Sequence, residues 1–101
     1  MKLISGLTGT VATLVLVSCT GMVEKGSVIN SQRFYDQGKY DKALTHLALS
    51  NPDDREATLL KAKIYEAKGD RDRAKSIYTE LATQHPNSSE GVYSKTKLRS
   101  F

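Results

Sequence analysis

Across 101 residues the chain has one cysteine, Cys19, and two prolines, Pro52 and Pro86. A single thiol excludes an intramolecular disulfide, so no internal cross-link reinforces the fold. Long hydrophobic runs are also missing. The most apolar stretch, Val11 to Val17, falls far short of the ~20 residues that span a bilayer. A transmembrane anchor is therefore the weaker reading of the N-terminus. No segment alternates polar and apolar residues long enough to argue for a strand. Charge of one sign is scarce too: 15 Lys and Arg face 11 Asp and Glu, a net +4. The signs are interspersed, as in Lys68-Gly69-Asp70-Arg71-Asp72-Arg73, which suits a solvated helical surface and argues against nucleic acid as a partner.

Catalytic signatures are equally sparse. There is no HExxH, serine elbow, phosphate loop or metal-ligand spacing, so an enzyme is not expected and no cofactor or metal is implied. Of the two histidines, His46 reads as a partly exposed spacer. His85 falls in a last helical turn. The acidic pairs Asp53-Asp54 and Asp70/Asp72 stand at helix starts, where capping explains them without a general acid.

What is present begins with the N-terminus. Lys2 gives a short positive region, Leu3 to Val17 an apolar one, and Leu16-Val17-Ser18-Cys19 closes it. This string resembles the lipobox of bacterial lipoproteins, an apolar residue and a small residue ahead of the cysteine that takes the lipid. The resemblance implies a signal peptide over 1–18, cleavage between Ser18 and Cys19, and a diacylglyceryl thioether on Cys19. An ordinary cleaved secretory signal is the rival reading. Each buried methylene contributes ~0.8 kcal/mol and stable anchoring takes two signals, a requirement that a diacylglyceryl group meets. Thr20 after the cysteine, where Asp would favour retention, implies the periplasmic face of the outer membrane, with the inner membrane as the alternative. Residues 19–25 are small, polar and aperiodic, and read as a tether.

Beyond the tether the sequence repeats. Phe34 to Ala43 lines up with Tyr65 to Ala74, placing Gly38 against Gly69 and Ala43 against Ala74, each 31 residues apart. The pattern predicts five helices, at about 26–37, 40–49, 54–68, 71–84 and 88–99. In the second copy, Asn51-Pro52 breaks the chain and Asp53 with Glu56 reads as a capping box. Leu59, Ala62 and Tyr65 follow at helical spacing, and Gly69 supplies the left-handed turn. Ala74, Ile77, Tyr78 and Leu81 mark the next helix, which stops at His85-Pro86. Asn87 with Glu90 then restarts the cycle.

The second unit resembles the tetratricopeptide repeat, with Ala62, Tyr65, Gly69, Ala74, Tyr78 and Pro86 at that family's small, aromatic, turn and closing positions. The fold implied is all-α, a right-handed α-solenoid of antiparallel helix pairs. Two departures stand out. Thr58 occupies a place for a larger residue and Lys61 one for leucine, with Leu59 and Leu60 as compensation. The first unit fits at Ser31, Phe34, Gly38, Tyr40, Ala43 and Leu47, but Pro52 comes three residues early and must shorten its second helix. The domain over 26–101 therefore holds units at about 26–52 and 54–86, plus a half-repeat helix over 88–101. Solenoids need about three repeats and a cap, so that last helix is either a polar-backed cap or an exposed face that accepts a partner, through which two copies could pair.

The resemblance also implies where a partner lies, in the groove lined by the first helix of each pair. Carried over by register, the groove positions are Val28, Gln32, Tyr35 and Asp36 in one unit and Leu59, Lys63 and Glu66 in the next. Tyr35 is the expected anchor; Lys63 and Glu66 are alternatively an i,i+3 surface pair. The leading functional expectation is a lipid-anchored adaptor that holds a protein or peptide partner in the bacterial envelope, during outer-membrane assembly, secretion or pilus biogenesis. Its alternatives are a homo-oligomer formed through 88–101 and an envelope hydrolase or inhibitor.

Overall fold

The computed structural model describes residues 26–101. The signal segment, Ser18, Cys19 and the 19–25 tether lie outside the described residues. Five helices and no strand make up the described part: α1 (26–36), α2 (Tyr40–Leu47), α3 (Arg55–Ala67), α4 (Arg71–Gln84) and α5 (Ser89–Leu98). α3 and α4 form a helix pair, α5 packs along α4 and touches α3, and α2 packs on α3. This is the all-α, repeat-built architecture that the 31-residue spacing predicts.

The two copies share their turn chemistry. Gly38 and Gly69 have φ of 75° and 87°, in the left-handed region where a Cβ is strained. In each turn the glycine N–H donates three residues back and the next N–H five back: Gly38 to Tyr35 and Lys39 to Phe34, then Gly69 to Glu66 and Asp70 to Tyr65, at 2.8–3.0 Å. That double closure satisfies the last carbonyls of α1 and α3 in the same way.

The helix starts differ by one residue from the sequence reading. α3 is capped by Asp54, whose carboxylate accepts from the N–H of Glu56 at 3.0 Å and of Ala57 at 3.4 Å. Asp53 instead donates its own N–H to Asn51 Oδ1 at 2.9 Å, inside the turn that Pro52 forces. α5 is capped by Ser88, whose Oγ accepts from Gly91 N–H at 2.9 Å, and not by Asn87. In each cluster of polar residues, only the one directly before the first helical residue can aim its oxygen at the free amides. α4 starts as expected, with Asp70 accepting from Arg73 N–H at 3.2 Å.

Small residues set the helix crossings. Ala43, Ala62 and Ala74 are fully buried, letting backbones approach where larger side chains would hold them apart. One core gathers Val28, Ala43, Leu47, Ala57, Leu60 and Ile64; the other centres on Ala62, Ala74 and Tyr78, with Leu59, Tyr65, Leu98 and Phe101 around it. The replacement at Thr58 is absorbed as anticipated. Leu60 enters the first core, Leu59 borders the second, and the Thr58 hydroxyl turns back to the Asp54 carbonyl at 2.9 Å. Lys61 stays exposed. α2 ends at Leu47, two residues before the expected boundary.

Candidate binding groove

Between α1 and α3 the described surface opens into a groove of ≈ 400 Å³. Val28 and Leu60 form its buried floor, Ile29 and Leu59 its apolar walls, and Gln32, Glu56 and Lys63 its polar margin. Amphipathic patterning explains the arrangement: Leu60 and Ile64 commit one stripe of α3 to the core, and Glu56, Leu59 and Lys63 run along the adjoining stripe. Four of the seven predicted groove residues, Val28, Gln32, Leu59 and Lys63, are thus brought together.

The other three lie apart from this opening. Asp36 is exposed and takes a hydrogen bond from Gln32 Nε2 at 2.9 Å, which fixes the amide along α1. Tyr35 is half-buried, its ring centroid 5.9 Å from that of Tyr40. Its phenol is pushed above the usual value by burial first, then by Tyr40, Tyr93 and Glu66. Glu66 is the centre of a polar knot. Its Oε1 accepts from the Tyr78 hydroxyl at 2.9 Å and its Oε2 pairs with Lys97 Nζ at 3.0 Å.

The structure therefore gives Lys63 and Glu66 separate partners. Lys63 Nζ stands 4.7 Å from the Tyr93 ring centroid, a cation–π contact, and Glu66 turns to α5. Hydrogen bonding to Glu66 raises the Lys97 ammonium above its ordinary value, against the opposing effect of burial. Burial, then the bond to Glu66, raises Tyr78 as well. Together these shifts favour the neutral phenol and the charged amine, the two states that keep both hydrogen bonds to the carboxylate.

Sequence reasoning missed Ile29, Glu56, Tyr93 and Lys97. Ile29 and Glu56 sit within the same helical turns as the residues named, so a wider reading of the helix face would have found them. Tyr93 and Lys97 belong to α5, which had no second copy to supply a register. His46 lies against Phe34, with ring centroids 4.9 Å apart, and His85 ends α4 with its carbonyl accepting from Ser88 Oγ at 2.8 Å. Among the described residues no three His, Cys, Asp or Glu side chains are grouped to hold a metal. Nor is any described helix long and apolar enough to cross a membrane. What the groove offers chemically is an apolar slot with an amide, a carboxylate and an ammonium at its margin.

No curated protein and no solved structure matches the chain. The model of the tetratricopeptide repeat matches residues 34–98, a span that takes in both glycine turns, the buried alanines and Tyr78. Tetratricopeptide repeats are protein-interaction modules that are typically non-catalytic, and this chain belongs to that family.

Proposed function

We propose that the protein is a lipid-anchored adaptor of the bacterial envelope, without catalytic activity of its own, that holds an extended or helical partner segment in the groove between α1 and α3. The observation that carries the reading is that groove, an apolar slot of ≈ 400 Å³ on the helix faces that tetratricopeptide modules use for partners. Val28, Ile29 and Leu59 receive the partner's apolar side chains, and Glu56 and Lys63 select charges of opposite sign beside them. Tyr35 and Glu66 act one turn further along, holding the helices that form the walls, and Asp36 fixes the Gln32 amide. The address comes from the Leu16-Val17-Ser18-Cys19 string: lipid on Cys19 concentrates a small module at the periplasmic face of the outer membrane.

Helix α5 serves this reading as a cap. Its exposed positions are Ser89, Lys95 and Thr96, with Val92 and Tyr93 between them, and its inner face is committed to α4 and Glu66. The test uses the full chain in its native membrane. Leu59→Asp should abolish capture of the partner while the protein stays in the membrane fraction. Cys19→Ala should release or misprocess it with the helical domain intact. Unchanged capture by Leu59→Asp removes the groove from the account, and palmitate labelling that survives Cys19→Ala removes the anchor.

A further inference from the structure

A second opening lies where the first unit is cut short. At the 31-residue spacing Leu47 corresponds to Tyr78, yet α2 stops at Leu47 whereas α4 continues to Gln84. The missing turns leave a cleft of ≈ 360 Å³ between the end of α2, α3 and α4, with Leu47, Pro52, Ala57 and Ile77 among its lining residues. It shares no lining residue with the groove between α1 and α3.

Two features of the cleft bear on its occupant. Lys61 and Glu80 line it from α3 and α4, both exposed, and neither has a hydrogen-bond or ion-pair partner among the described residues. Beside it, in the 48–50 turn whose other members line the cleft, Leu49 projects into solvent at 58% exposure. The Leu49 N–H donates to the His46 carbonyl at 3.1 Å, which ties the turn that carries it to the end of α2.

A knob next to a socket, with one unpaired charge of each sign on the socket's walls, is self-complementary. Under a twofold axis each copy offers what the other lacks. We propose that this cleft is a contact between two copies of the chain, Leu49 of each entering the cleft of the other, with Lys61 of each facing Glu80 of the second copy. A foreign partner would have to supply both the apolar knob and the matching pair of charges; a second copy already carries them. The α1–α3 groove contributes nothing to this contact, so the proposal stands or falls independently of the adaptor reading.

The test is the mass of the full chain in density-matched detergent by sedimentation equilibrium, with circular dichroism to verify helix content. The wild-type chain should sediment as a dimer. Leu49→Asp, a change at an exposed position, should raise the dimer dissociation constant by about tenfold or more. Lys61→Glu and Glu80→Lys should each weaken the dimer, and the two together should restore it, since the swap re-forms both contacts with reversed sign. A wild-type monomer overturns the proposal, as does a dimer that Leu49→Asp leaves unchanged or a double swap that fails to recover it.

Discussion

Tyr78 is fully buried in α4, and its hydroxyl donates to the Glu66 carboxylate of α3 at 2.9 Å. The same carboxylate takes Lys97 Nζ of α5 at 3.0 Å, so one side chain ties three helices. Because the Glu66 side chain is only 24% exposed, removal of a partner is felt more than at an open surface.

Tyr78→Phe should cost about 1.5 kcal/mol, the lower end of the range for a hydrogen bond to a charged acceptor. The ring contacts with Phe101, edge-on at 5.7 Å between centroids, would survive it. Tyr78→Ala should cost about 3–5 kcal/mol by adding a cavity to that loss. Urea denaturation of the three proteins measures both steps. Equal losses would place the stabilisation in the hydroxyl alone.

Alkali should destabilise the fold. Tyr78 is held above its ordinary value of 10.0 when folded, so between that value and the folded one the unfolded chain binds fewer protons. Stability is therefore full below about pH 10 and falls as pH rises, by at most ~1.4 kcal/mol per pH unit for this group. Lys97, raised from 10.5 by Glu66, acts in the same direction. Stability curves between pH 8 and 12 should bend downward near pH 10 (the unfolded-tyrosine value), and Tyr78→Phe should flatten the bend.

Gly91 offers a test of sign. Glycine to alanine inside an exposed helix ordinarily stabilises by about 1 kcal/mol. A Cβ on Gly91, however, would meet the His85 carbonyl oxygen at 1.8 Å and its carbon at 2.7 Å, both backbone atoms. Gly91→Ala should therefore destabilise, by about 1–3 kcal/mol, because α5 must lift from the end of α4. Thermal melts decide it: a raised midpoint would contradict this packing.

The caps of α3 give a paired comparison. Asp54→Ala should cost about 1 kcal/mol by freeing the amides of Glu56 and Ala57. Asp53→Ala leaves its backbone bond to Asn51 in place and should change stability by less than about 0.5 kcal/mol. Denaturant midpoints of the two variants settle which aspartate is the cap.

These cases also mark how far the sequence could be read. Gly38 and Gly69, and Ala43 and Ala74, were legible because two copies at one spacing reveal which residue types recur; Tyr78 was legible from helical spacing and the repeat resemblance, and the turns and core bear all five out. The caps were misplaced by one residue because Asp53-Asp54 and Asn87-Ser88 offer adjacent oxygens, and only backbone direction chooses between them. The groove was half legible. Gln32, Leu59 and Lys63 follow from helix register, but the diversion of Glu66 to Tyr78 and Lys97, and of Lys63 to Tyr93, depends on how α5 docks. No periodicity within a single helix encodes that angle. The cleft beside Leu47 was foreshadowed by the early Pro52, though not its unpaired Lys61 and Glu80.

The adaptor reading rests on the groove between α1 and α3, and site-specific photo-crosslinking of the full chain in its host tests it most directly. A photoreactive residue replaces Leu59 on the groove wall or, as a control, exposed Thr79 on α4. The account predicts one discrete crosslinked partner from position 59, lost when Lys63→Glu is added, and none from position 79. Identical products from both positions, or none from position 59 under conditions where the protein is helical, would contradict it.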